Sequence, residues 1–127
     1  MKLLLDTNAL IWTIEQNPKL GKRAQSLIER HGNDVMFSIV SIWELLIKTR
    51  TGKLHLDWQI VSAGASEAGL IQIGVDLTHM EALNALPYYH GDPFDHLILA
   101  QAITEGATLV TSDQNMMHYG VPIIECG

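Results

Sequence analysis

DPFDHLILAQAITEGATLVTSD, residues 92–113, reads as one helix followed by one buried strand, with an acid where the helix begins and another where the strand ends. Asp92 is a good helix cap, Pro93 suits the first helical position, and Asp95 falls three residues after the cap, where the helix dipole favours negative charge. Gly106 closes the helix, since glycine takes a left-handed backbone at low cost. Leu97, Ile98, Leu99, Ala100, Ala102 and Ile103 are apolar around most of the circumference, so this helix is expected to pack deep against a sheet. Thr108 to Thr111 is the strand. Asp113 then falls at a strand's carboxyl end, the side on which open α/β folds gather their sites.

The same alternation runs outward through the chain. Lys2 to Leu5 is an apolar run ending in Asp6-Thr7-Asn8, and the amphipathic stretch of Ala9, Leu10, Trp12 and Ile14 makes it strand, turn and helix. Arg23 to Arg30 predicts a second helix on the apolar face of Ala24, Leu27 and Ile28, ended by Gly32. Val35 to Ile39 predicts a second strand and Ser41 to Thr49 a helix. Its start, Ser41-Ile42-Trp43-Glu44, fits the S-x-x-E capping box, and Thr78-His79-Met80-Glu81 fits it again ahead of a further short helix. Asp57 is read as capping a helix that reaches about Gly69. Leu70 to Val75 is read as a third strand, Pro87 to Gly91 as a loop, and Val121 to Glu125 as a last edge strand. The fold expected is a single α/β domain over residues 1–127 with a central, mostly parallel sheet.

Composition narrows the function classes. Hydrophobic residues make up 47% and charged residues 17%, which describes a packed chain with no linker tract or low-complexity segment. The opening apolar run is cut by Asp6, too soon for a signal peptide, and no 18-residue apolar stretch exists to span a membrane, so a cytoplasmic location is expected. Cys126 is the single cysteine, which excludes an internal disulfide or a thiolate metal cluster and leaves a surface-exposed tail thiol as its plain reading.

The net charge of −6 divides unevenly. Residues 1–53 hold all eight Lys and Arg against five acids, a balance of +3, while residues 54–127 hold nine acids and no Lys or Arg, a balance of −9. A polyanion would have to be held by Lys48, Arg50 and Lys53, or by Lys22, Arg23 and Arg30. Overall acidity argues against a dedicated nucleic-acid-binding module. It favours instead a basic, partly apolar protein partner for the acidic half.

Four acids fall at element junctions: Asp6, Glu44, Asp95 and Asp113. Asp6 or Asn8 also reads as an ordinary helix cap, and Glu44 as the third residue of its capping box, so both readings stand at this point. If the four converge, they raise one another's pKa and a divalent cation relieves the repulsion. Hard oxygen donors without thiolates or paired histidines suit Mg²⁺ or Mn²⁺, ions that serve phosphodiester cleavage. Competing site types are absent: there is no G-x-x-x-x-G-K-[ST], G-x-G-x-x-G or G-x-S-x-G. The six histidines are scattered and read as surface or capping residues, His96 among them on its helix surface. Trp12, Trp43 and Trp58 read as core or interface anchors.

LLLDTNALIW (3–12), SIVSIWELLIKTRTGKL (38–54), HGDPFDHLILAQA (90–102) and TLVTSD (108–113) together resemble the PIN-domain ribonucleases, specifically the VapC toxins of bacterial toxin–antitoxin modules. The resemblance implies a three-layer α/β/α domain and a Mg²⁺- or Mn²⁺-dependent endoribonuclease that cuts RNA phosphodiester bonds. It also implies a homodimer and a cognate antitoxin protein that inhibits it. Carried over position by position, Asp6 and Asp95 are implied as metal ligands, with Glu44 and Asp113 completing the acidic site. Thr7, Asn8, Thr111 and Ser112 flank those acids and would orient them, or the water, by hydrogen bonds. The chain departs from the pattern at Gly91 and His96, where members with this segment often carry Arg. Other readings of the same acids are a different metal-dependent phosphohydrolase or DNA nuclease, or a catalytically inactive protein-interaction subunit.

Overall fold

The apolar runs pair side by side. In this computed structural model, which describes residues 1–88 and 91–127, β1 (Lys2–Leu5), β2 (Asp34–Ser38), β3 (Ile71–Ile73), β4 (Thr108–Thr111) and β5 (Ile123–Glu125) form one sheet of order β3-β2-β1-β4-β5. Every pairing is parallel. Tyr89 and His90, within the expected 87–91 loop, lie outside the described residues. The helices are α1 (Thr7–Glu15), α2 (Lys22–Glu29), α3 (Ile39–Arg50), α4 (Trp58–Glu67), α5 (Leu77–Ala85) and α6 (Pro93–Glu105), with 3-10 turns at Pro18–Leu20 and Gln114–Tyr119.

Successive strand residues point to opposite faces, and both faces are covered, which is why these strands are continuously apolar instead of alternating. Leu3, Leu5, Val35, Phe37 and Val110 join one core with Ala9 and Leu10 of α1, Ala24 of α2, Leu45 of α3, and Val61 and Ala65 of α4. Leu4, Met36 and Leu109, the residues between them, join the other with Val40 of α3 and Ile98, Leu99 and Ala102 of α6. Three layers result. Leu3, Leu4 and Leu5 are fully buried, each contributing roughly 2 kcal/mol of apolar transfer. The all-round apolar surface of α6 is accounted for by the sheet beneath it and α5 against it.

From β1 the chain steps outward to β2 and β3, then returns through α5 and α6 to lay β4 on the other side of β1. The strand order reverses between β1 and β4, and there the Asp6 backbone N–H donates to Val110 O at 3.0 Å. A crevice at that switch point, outside the carboxyl ends, is where such sheets bind ligands.

Helix ends agree with expectation at α6, where Asp92 Oδ1 accepts from the N–H groups of Phe94 and Asp95 and Gly106 has φ 63°. Asp57 caps α4 as expected. Two capping boxes are overturned. β2 runs straight into α3, whose cap is Ser38, with Ser38 Oγ accepting from Val40 N–H at 3.0 Å. Ser41 is therefore already inside the helix and Glu44 lies beyond its first turn. For α5 the cap is Asp76, and the reciprocal partner is His79, whose Nδ1 accepts from the Asp76 N–H at 3.1 Å. Cys126 is buried, not a surface thiol, because the last residues pack at the edge of the first core. Among the described residues no helix is long and apolar enough to cross a membrane.

Candidate active site

Asp6 leaves β1 and caps α1, its Oδ1 accepting from Ala9 N–H at 2.8 Å. The capping role is thus present, and the same carboxylate carries a second interaction, a bond from Thr111 Oγ1 to Oδ2 across the β1/β4 junction. The side chain is buried. Burial pushes its pKa up from 3.8 to about 6; the bonds from Thr111 and Ala9 oppose the rise, and the charges of Glu44 and Asp113 add to it.

Glu44 is buried on α3. Thr7 Oγ1 donates to its Oε1 at 2.6 Å, and the Lys48 ammonium donates to its Oε2 at 2.6 Å, one turn further along the helix. Ser41 Oγ lies 3.0 Å from Thr7 Oγ1, so the Thr7 hydroxyl sits between a buried serine and the carboxylate. The bond with Glu44 raises the Lys48 pKa, and the charges of Glu44, Asp92 and Asp95 add to that.

Asp95 is half-buried in the first turn of α6. Its pKa is pushed up to about 8, first by burial and then by the charges of Asp92, Asp113, Glu44 and Asp6. Asp113 follows β4 and caps the Gln114–Tyr119 turn, accepting from Asn115 N–H at 2.9 Å, while its own N–H donates to Thr111 Oγ1 at 3.0 Å. Asp6 thus lies in the field of Glu44 and Asp113, and Asp95 in that of Asp6, Glu44 and Asp113, so acids from separate elements act on one another here.

The flanking residues divide. Thr7 and Thr111 bond directly to acids of the cluster. Among the described residues, Asn8 and Ser112 make no hydrogen bond to the four acids, and neither do Arg50 and Lys53; Asn8, Arg50 and Lys53 are exposed. Ser41 and the Glu44–Lys48 pair were missed by sequence reasoning. The i, i+4 spacing of Glu44 and Lys48 was the available signal for the pair, but the false capping box absorbed both Ser41 and Glu44. His96 is not on the surface: it is buried, with Nε2 3.0 Å from Tyr119 Oη. Trp43, next to Glu44, is 51% exposed and meets Phe94, next to Asp95, edge-on at 4.9 Å.

The donor set is all carboxylate oxygen, hard and mutually repulsive, and burial with the neighbouring charges pushes the Asp95 pKa up to about 8. That charge and chemistry fit a hard divalent cation. Among the described residues, no three His, Cys, Asp or Glu side chains close into a preformed metal cage. The fit is therefore one of donor type and field.

Residues 3–121 match the PIN domain family. The chain belongs to that family. It is 28% identical over 122 residues to "Ribonuclease VapC22" of Mycobacterium tuberculosis, an alignment covering 94% of this chain and 93% of the relative. Its fold matches a chain of VapBC2 from Rickettsia felis, solved with a DNA fragment from the promoter, with TM-score 0.75, 18% identity and complete coverage of both chains. It also matches a chain of a toxin-antitoxin complex from Klebsiella pneumoniae, with TM-score 0.64 and 21% identity, covering 96% of this chain and 95% of the other. This PIN-domain protein is related to the VapC toxin ribonucleases, and its five-stranded parallel sheet flanked by helices is the fold of those relatives.

Proposed function

We propose that this chain is a Mg²⁺- or Mn²⁺-dependent endoribonuclease, the toxin of a toxin–antitoxin pair. The observation that carries this reading is the pair of raised carboxyls in a PIN fold, Asp6 at about 6 beside the β1/β4 switch point and Asp95 at about 8 in a field to which Asp6, Glu44 and Asp113 all contribute.

Asp6 and Asp95 would hold the cation, with Glu44 and Asp113 completing the acidic site. When bound, the ion would supply activation of water and neutralisation of charge on the phosphodiester. The rest is the work of this chain's side chains. Thr111 fixes one oxygen of Asp6 and Ala9 N–H the other, so the carboxylate is aimed before substrate arrives. Thr7 aims Glu44 from α1 while Lys48 balances its charge from α3. Lys48, Arg50 and Lys53 supply cations at the end of α3 and just beyond it for the RNA backbone.

The antitoxin reading rests on charge as well as on the relatives. Residues 54–127 carry −9, and that half delivers Asp95 and Asp113 to the cleft. A partner inserting Arg or Lys between these carboxylates would compete with metal and substrate.

Purified chain incubated with single-stranded RNA and, separately, DNA, each with Mg²⁺, Mn²⁺ or a chelator, tests the reading. Metal-dependent cleavage of RNA and not DNA supports it. Cleavage of DNA in preference to RNA would make it a DNA nuclease, and no cleavage under any condition would make it an inactive interaction subunit.

A further inference from the structure

Glu44 has two partners of different character. Thr7 is buried and its hydroxyl is fixed from α1. The Lys48 ammonium is bound to Glu44 at the end of a flexible four-carbon stem, and the side chain is 46% exposed. Rotating that half-exposed stem into solvent gives up its ion pair with Glu44, whereas moving Thr7 would disturb a buried residue. The ammonium also lies in the field of Asp92 and Asp95, so it is a positive charge placed among the carboxylates that a divalent cation would share. Two like charges competing for one carboxylate repel strongly at such range.

We propose that Lys48 is a tethered counter-ion that occupies Glu44 in the metal-free chain and is displaced from it by the divalent cation. This inference rests on the metal-dependent reading above. Displacement leaves the ammonium at the rim of the site, attached to the same helix turn and without its carboxylate. A phosphate of the RNA backbone is the anion then offered to it. Loading the metal thus converts Lys48 from a partner of Glu44 into a partner of the substrate, and in the empty site the buried Glu44 carboxylate is spared an uncompensated charge.

The test is acetylation of the intact chain by a water-soluble amine-reactive ester, followed residue by residue by mass spectrometry. The exposed Lys19 and Lys22, remote in sequence from the acids, serve as internal standards. Mn²⁺ binding is measured in parallel by calorimetry. The expected result is a severalfold rise in Lys48 reactivity, relative to Lys19 and Lys22, on saturation with Mg²⁺ or Mn²⁺. A Lys48→Met variant should bind Mn²⁺ more tightly than the parent, because the internal competitor is gone. Unchanged Lys48 reactivity alongside measured Mn²⁺ binding would overturn the exchange, as would weaker Mn²⁺ binding by Lys48→Met, which would make Lys48 a residue that positions Glu44. No Mn²⁺ binding by the parent would overturn the metal-dependent reading, and the exchange with it.

Discussion

Thr111 and Asp6, 105 residues apart in sequence, are joined by a buried hydrogen bond that fastens the carboxyl end of β4 to that of β1. Thr111→Val keeps the shape and removes the donor. Its expected cost is roughly 1–3 kcal/mol of stability, because a buried carboxylate loses a partner. The bond lowers the Asp6 pKa, so its loss should raise that pKa above about 6. The acid limb of RNA cleavage should move to higher pH. Carboxyl NMR titration of the metal-free variant checks this, and an unmoved Asp6 resonance would contradict it.

The raised carboxyls also set how stability depends on pH. Asp6 and Asp95 bind protons more tightly folded than unfolded, so the unfolded chain releases protons first as pH rises. Their contribution to stability is fully present below the ordinary carboxyl pKa of about 4 and is lost as pH rises through the folded values. The metal-free Tm should therefore fall between about pH 5 and pH 8, and saturating Mg²⁺ should oppose the fall. Asp95→Asn should flatten the upper part of the decline. Calorimetric scans with and without chelator would show it, and a Tm that climbs over this range in metal-free protein would count against the site.

Glu44→Gln separates charge from packing. The amide oxygen can still accept from Thr7, while Lys48 loses a charged partner at a half-exposed position, so the stability change should stay below about 1 kcal/mol. RNA cleavage should nevertheless be lost. Parental activity in this variant would leave Glu44 with a structural role alone.

Local chemistry was legible where one element decides its own ends. Asp92, Pro93 and Gly106 bound α6 as their residue types require, and the apolar runs at Lys2–Leu5 and Thr108–Thr111 are strands. It misled where tertiary structure chose between two adequate signals. Ser41-x-x-Glu44 is a sound capping box, but β2 needs no loop before α3, so Ser38 takes the cap three residues earlier. His79 as the reciprocal member of the α5 box carries no S/T-x-x-E signature. His96 and Cys126 are buried by segments distant in sequence, Tyr119 for the histidine and the first core for the thiol. The four acids were legible as junction residues, but their partners were not: Thr7 meets Glu44 across 37 positions and Thr111 meets Asp6 across 105.

Assembly is a separate expectation. Ile39 and Trp43 on α3, Leu77 on α5 and Tyr88 beyond it are large apolar residues left exposed. A homodimer is expected, with a mass twice 14.1 kDa by light scattering at micromolar concentration. A monomeric mass there would reject it.

The most direct measurement is the rate of RNA cleavage by Asp95→Asn beside the parent across a Mn²⁺ titration. Asp95 lies on α6 and not in the sheet, and its raised pKa marks a place where the charged form is disfavoured, so a neutral amide there should leave the variant folded. The expected result is cleavage by the parent that rises with Mn²⁺ and stops with chelator, and no cleavage by the folded variant at any Mn²⁺ concentration. Cleavage by Asp95→Asn at the parental rate, or parental cleavage that persists in chelator, would contradict a metal site built on these acids.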